Sequence, residues 1–186
     1  MELLPTLKIG WLNGWILLIF EFLIQGFLLL IFPNDVVSRL FSRSGWNAKQ
    51  RVFTIIGKTF TLACLILIIM TPLNINSSVF TVGLILYAIG LVGLVVAMLN
   101  FKDTPLNQPV TKGVYKVSRH PQIVSLFVIF LGICVAIGSW VALLTLILSR
   151  LFQHFGILAE EEVCLRAYGE SYRAFMEQVP RYFLFF

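Results

Sequence analysis

The sequence predicts an all-α integral membrane protein with about five transmembrane helices. Three observations lead there. Hydrophobic residues make up 59% of the 186 residues and charged residues 12%, where a soluble domain carries about 25% charged residues. The apolar residues fall in long blocks rather than amphipathic stripes. The basic residues collect between the blocks.

A bilayer core takes about 20 apolar residues per helix. The first block runs from Trp11 to Phe32 and stops at Pro33-Asn34-Asp35. The second covers about 53–70 and stops at Thr71-Pro72, and the third covers about 79–99. The run from Gln122 to Leu158 is too long for one span, and its Ile137-Gly138-Ser139-Trp140 reads as a tight turn. It divides into helices at about 123–137 and 140–157, a short hairpin expected to be tilted or partly re-entrant. From Glu160 to Gln178, charges alternate with Leu165, Tyr168, Tyr172 and Phe175 at helical spacing. That predicts an amphipathic helix at the membrane surface, bent at Gly169 and ended by Pro180. With no internal repeat and no flexible linker, residues 1–186 read as one domain.

Charge sets the expected orientation. Arg39, Arg43, Lys49 and Arg51 lie in the first loop, and Lys102, Lys112, Lys116 and Arg119 between the third and fourth helices. The loop Asn74–Ser78 carries no charge. The positive-inside rule then puts the N-terminus outside and the charged loops and C-terminus in the cytoplasm. No cleavable leader pattern precedes the first block, which is expected to stay as an anchor. The net charge of +5 is not a nucleic-acid footprint, because the basic residues sit at membrane edges without interleaved aromatics. Cys64, Cys134 and Cys164 lie in separate segments without metal-ligand spacing.

Three polar groups could carry chemistry. Tyr115, Lys116, Arg119 and His120 precede Pro121, which suits the first turn of a helix. Cations and backbone N–H groups at a helix N-terminus suit a carboxylate or phosphate; the alternative is anchoring to anionic headgroups. Glu160-Glu161-Glu162 follow the fifth apolar run and suit an ammonium or sulfonium group, or else form a solvated face. Arg150, His154, Ile157 and Glu161 share one helical face. Ionisable groups within a membrane run usually face a protein cavity or a water pathway, although Arg150 could snorkel. Glu21 and Gln25, one turn apart in the first block, read as interhelical hydrogen-bonding groups.

The segment GVYKVSRHPQ, followed about 40 residues later by EEEVCLRAYGESYRAFMEQVPR, resembles the integral-membrane methyltransferases. That group includes isoprenylcysteine carboxyl methyltransferase and phospholipid N-methyltransferases. The resemblance rests on Gly113, Tyr115, Arg119-His120-Pro121, Glu161-Glu162 with Leu165, Tyr168-Gly169 with Tyr172 and Phe175, and Val179-Pro180-Arg181. It covers the C-terminal 75 or so residues and implies a cofactor-binding portion at about 100–186. It implies S-adenosyl-L-methionine as methyl donor and a lipophilic acceptor reached from the bilayer. It further implies cofactor contacts from Gly113, Tyr115, Arg119, His120, Pro121, Glu161, Glu162 and Tyr168. Catalytic roles are expected for His154, as the base nearer the acceptor, and for Glu161, as the holder of the cofactor. Ile123 and Val124 stand where members of the group often have a tyrosine and a small residue. No arginine stands a turn before the acidic pair, so a carboxylate acceptor does not follow. Membrane sterol-type reductases that bind NADPH share the C-terminal layout, but three carboxylates oppose an extra phosphate. A non-catalytic protein that keeps the pocket is the remaining alternative.

Overall fold

The computed structural model describes residues 1–41 and 45–183. Arg43 of the first basic loop lies outside the described residues, as does Ser44. The described chain is all-helical: α1 (Trp15–Ile31), α2 (Asn34–Phe41), α3 (Ala48–Met70), α4 (Ser78–Lys102), α5 (Pro121–Ala136), α6 (Trp140–Tyr168) and α7 (Glu170–Gln178). A 3-10 turn covers Gly113–Lys116. α3, α4 and α6 are long and apolar enough to cross a membrane; α1 and α5 are shorter apolar helices.

The helices pair through small residues. Gly83 of α4 and Gly132 of α5 sit so close that a Cβ on either would meet the other helix's backbone. Gly57 of α3 likewise abuts Ser149 and Gln153 of α6. Such contacts let apolar helices gain dispersion energy where lipid removes any hydrophobic drive. Polar side chains tie the α3–α6 pair at depth: Gln153 Nε2 donates to Thr61 Oγ1 at 2.7 Å and to Ser149 Oγ at 2.8 Å. Ile68, Leu94, Met98, Ile129 and Ile133 form the centre of the core. α1 joins through Tyr87, whose hydroxyl donates to the Leu17 carbonyl at 2.7 Å. Glu21 is buried against this contact, yet its Oε2 has no hydrogen-bond partner, so the interhelical bond read from the sequence is not formed there.

Several expected boundaries shift, each for a local reason. The first helix begins at Trp15, not Trp11, because the preceding backbone is engaged elsewhere. Gly14 N–H donates to Thr71 at 3.1 Å, and Asn13 Nδ2 donates to Ile69 at 2.9 Å. The second begins at Ala48, where Asn47 and Gln50 form a capping box. The stretch after Pro33 forms α2, a helix too short to give a periodic signal.

The largest correction concerns the C-terminal half. The hairpin's second arm is not a short helix ending near 157, and no separate helix begins at 160. α6 runs unbroken for 29 residues, about 43 Å, so it exceeds a hydrocarbon core of about 30 Å. Alanine, leucine and glutamate are strong helix formers, and the three carboxylates find partners without leaving the helix. Gly169, at φ 56° and ψ −131°, ends it; a side chain at that conformation would be strained. α7 is the only part of the expected 160–178 helix that stands apart.

The N-terminal segment packs on one end of the bundle. Glu2 and Leu3 pair with Gly138, Trp140 and Val141, and Lys8 with Met70. The termini of α3 and α4 joined by 71–77 therefore share that end with the α5–α6 turn. α2, the 103–120 segment and the C-terminal tail gather at the other end.

Candidate functional site

The 3-10 turn and the start of α5 build the site's frame. Gly113 has φ +59° and its α-carbon faces the Asn100 side chain. Asn100 Oδ1 accepts from the Val114 N–H at 3.0 Å. This turn sinks Tyr115 against Tyr172, Phe175 and Val179. Pro121 opens α5 and His120 is its N-cap, with no side-chain cap bond. Gly113 and Pro121 shape the backbone here; neither is among the residues lining the two cavities described below.

Glu161 is the centre of a buried charge cluster. Its Oε1 accepts from Arg119 Nε at 2.8 Å and lies 3.3 Å from His120 Nε2. Its Oε2 accepts from Arg181 Nη2 at 2.7 Å and Nε at 3.0 Å. The Glu161 and Arg119 side chains are 4% and 3% exposed. Arg119 also donates through Nη1 to the carbonyls of Met176 at 2.7 Å and Val179 at 2.8 Å. Its backbone N–H donates to Pro180 at 2.9 Å, and Ser118 Oγ donates to Arg181 at 2.8 Å. The RHP turn therefore clamps the C-terminal tail onto α6. The bond to Glu161 raises the pKa of the Arg181 guanidinium.

Sequence reasoning expected Glu161 and Glu162 to act together on a cationic ligand. They point apart, because adjacent helical residues are about 100° apart around the axis. Glu161 faces the protein's own cations. Glu162 is exposed and accepts from Gln50 Nε2 of α3 at 3.1 Å. The carboxylate that does line a cavity is Glu160, with Oε2 3.9 Å from His120 Nδ1.

That cavity, of about 560 Å³, opens between α2, the start of α5 and the end of α6. Of the expected site residues, Tyr115, Arg119, His120 and Tyr168 line it, joined by Arg39, Gln122 and Tyr172. Arg39 holds the adjoining segment by donating to Gln108 at 2.7 Å, with its guanidinium 5.1 Å from the Phe101 ring centroid. Tyr168 donates to Leu106 at 3.1 Å. Burial raises the phenol pKa of Tyr115 and of Tyr172, keeping both neutral. Gln122 Nε2 is buried with no hydrogen-bond partner.

His154 lies elsewhere. It lines a second cavity of about 400 Å³, with Arg150, Ile157 and Tyr182. Its Nδ1 is 2.7 Å from Tyr182 Oη. Burial pushes the Tyr182 phenol up to about 12. Ile123 is part of both cavity walls. His154 and Glu161 thus share a helical face and face different spaces. Gln122 and Tyr182 escaped sequence reasoning, and Glu160 was read as a cation-site candidate only together with Glu161 and Glu162.

A helical bundle with three helices long and apolar enough to cross a membrane defines a class, the integral membrane proteins. The chain matches the phospholipid methyltransferase family over residues 66–171, more than half its length, and it belongs to that family of membrane methyltransferases. No curated protein and no solved structure matches it.

Proposed function

We propose that the protein is an S-adenosylmethionine-dependent methyltransferase acting on a lipophilic acceptor that enters from the bilayer. The observation that carries this reading is the pair of cavities on either side of the first turn of α5. One is lined by tyrosines, cations and two carboxylates, Asp35 and Glu160; the other is walled mostly by apolar side chains with Arg150, His154 and Tyr182 among them; Ile123 belongs to both.

The residues of the first cavity fit the cofactor. A zwitterionic nucleoside needs donors for its carboxylate and hydroxyls, a carboxylate for its cationic part, and aromatic walls. His120, Glu160 and the Tyr115, Tyr168 and Tyr172 rings supply these. The orphaned Gln122 Nε2 is a donor that a ligand there would satisfy. When bound, the cofactor supplies a methyl group on a sulfonium. Arg119 reaches the same cavity while holding the tail, and Glu161 positions His120 through the 3.3 Å contact. Gly113 and Pro121 set the backbone that presents them, and Glu162 anchors α6 to α3. Alignment of donor and acceptor supplies much of the rate in an in-line displacement. His154 removes the acceptor's proton as the bond to carbon forms.

S-adenosylhomocysteine is expected to raise the melting temperature of the solubilised protein, and NADPH to leave it unchanged. At a hundredfold excess over Kd, binding adds about 2.7 kcal/mol, a shift of several degrees for a chain of this size. A shift with NADPH alone would replace this reading with the reductase one.

The same proposal includes five membrane helices, with α1 and α5 completing the set, α7 at the membrane surface and the first cavity in the cytoplasm. Arg39, Lys49, Lys102, Lys112 and Lys116 belong to the end that carries the cavity. A cysteine at the exposed Asn76 should react with an impermeant maleimide from outside, and one at the exposed Asn107 only after lysis. Labelling from the opposite sides would reverse the orientation.

A further inference from the structure

In the sequence, Arg39 is one of several basic residues of the first loop; in the structure it joins two weakly held segments. Packing secures α2 poorly, since of its eight residues only Val36 is fully buried. The segment 103–110 that faces it has no regular structure, and residues 105–108 are exposed. Arg39 Nη2 donates to the Gln108 carbonyl at 2.7 Å, and Nη1 to the Pro105 carbonyl at 3.2 Å. Its guanidinium lies 5.1 Å from the Phe101 ring centroid and 6.0 Å from that of Tyr168. Tyr168 in turn donates to the Leu106 carbonyl at 3.1 Å. Among the described residues, no other side chain of α2 hydrogen-bonds to another element.

Both joined segments are walls of the first cavity. Ser38 and Leu40 line it from α2, Leu106 and Val110 from the facing segment, and Arg39 lines it too. The same cavity holds the buried, unpartnered Gln122 Nε2. A cation at this end could serve against anionic headgroups. Here its planar fork is turned instead onto backbone carbonyls and two aromatic rings, a combination that suits a guanidinium. Segments with few buried contacts open most easily, and the lids of binding sites are drawn from them. A hydrogen bond from a charged donor shifts such an equilibrium by roughly tenfold or more, so one side chain can govern the opening.

We propose that α2 and residues 103–110 form a two-part roof over the cofactor cavity, with Arg39 as its clasp, so that release of the clasp sets how fast the cofactor enters and leaves. Arg39 is a positioning residue: it acts through the roof and Tyr168, not on the transferred methyl group. Naming the occupant of the cavity rests on the methyltransferase reading; the roof rests on the Arg39 contacts.

Cys164 lines the same cavity and reports on the roof without any ligand. The full chain in phosphatidylcholine nanodiscs is treated with N-ethylmaleimide, and labelling is assigned to each thiol by peptide mass. Cys164 is expected to react about tenfold faster in Arg39→Gln than in the unsubstituted protein. Arg39→Lys should fall between them, because an ammonium lacks the paired fork. Cys64 and Cys134, 1% and 0% exposed, should stay unlabelled in all three. An unchanged Cys164 rate in Arg39→Gln overturns the proposal. Labelling of all three thiols together also overturns it, because the bundle rather than the roof has then opened. With radiolabelled S-adenosylhomocysteine, association and dissociation should both quicken about tenfold in Arg39→Gln and leave Kd nearly unchanged. Faster dissociation alone is the mark of a lost ligand contact, and that result would replace the clasp with a direct binding role. If the unsubstituted protein binds no S-adenosylhomocysteine while Cys164 still responds to Arg39→Gln, the methyltransferase reading fails and the roof stands.

Discussion

Replacing Glu161 by alanine is expected to cost about 3–5 kcal/mol of stability, because removing one partner of a buried ion pair strands the others. The Arg119 and Arg181 guanidinium groups and the His120 ring converge on this carboxylate, which is almost without solvent. Thermal unfolding of the solubilised protein should show the loss, and trypsin should cut the released tail at Arg173 and Arg181 first. Glu161→Gln keeps the shape and loses the charge, so it should also destabilise and should weaken S-adenosylmethionine binding through a displaced His120. Removing Arg119 and Arg181 together with Glu161, in favour of apolar residues of similar volume, should restore much of the stability, since well-packed apolar replacements of buried ion clusters are often neutral. An unchanged melting temperature in Glu161→Ala would mean that the cluster holds nothing together.

His154→Ala is expected to leave cofactor binding nearly intact and to lower turnover by the ~10²-fold or more typical of a lost general base. The measurement is transfer of a radiolabelled methyl group into a membrane lipid extract, beside S-adenosylhomocysteine binding on the same preparation. The separation of the two cavities is the reason for the split. Tyr182→Phe should lower turnover less, because the imidazole remains and loses only the hydroxyl 2.7 Å from its Nδ1. Near-normal turnover in His154→Gln would reduce the histidine to a structural hydrogen bond with the tail.

Much of the fold was legible because lipid imposes a strong filter. Backbone groups in a bilayer must be satisfied internally, so apolar blocks of this length become helices. All five blocks were located to within a few residues at one end or both. The misread boundaries were those decided by something outside the block. Asn13 and Gly14 were drawn off by the 69–71 backbone, and past Glu160 the carboxylates of α6 meet Arg119 and His120 of the turn before α5 and Arg181 of the tail. The Asn47–Gln50 capping box was the exception, a local pattern present in the sequence and overlooked.

The site divides along the same line. The RHP turn, the acidic run and the Val179-Pro180-Arg181 close stood out as motifs, and Tyr115, Arg119, His120 and Tyr168 do line one cavity. Their order in the chain did not reveal that Arg119 and Glu161 would neutralise each other, or that Glu160 rather than Glu162 would face the cavity. Gln122 was one polar residue in an apolar helix until packing buried its amide without a partner. Tyr182 could not be linked to His154, 28 residues earlier, by any periodicity.

By itself the sequence determined what composition and local pattern can carry: an all-helical membrane chain, its basic and uncharged loops, and the motifs of a methyltransferase family. Only the tertiary structure decided which charges meet. An ionisable side chain reaches a few ångströms, and whether it finds a counter-ion, a carbonyl or an empty cavity depends on how separate helices pack. Glu161 found two guanidinium groups and an imidazole and became the pin of the tail, while Arg150, three turns earlier on the same helix, was left with an open groove.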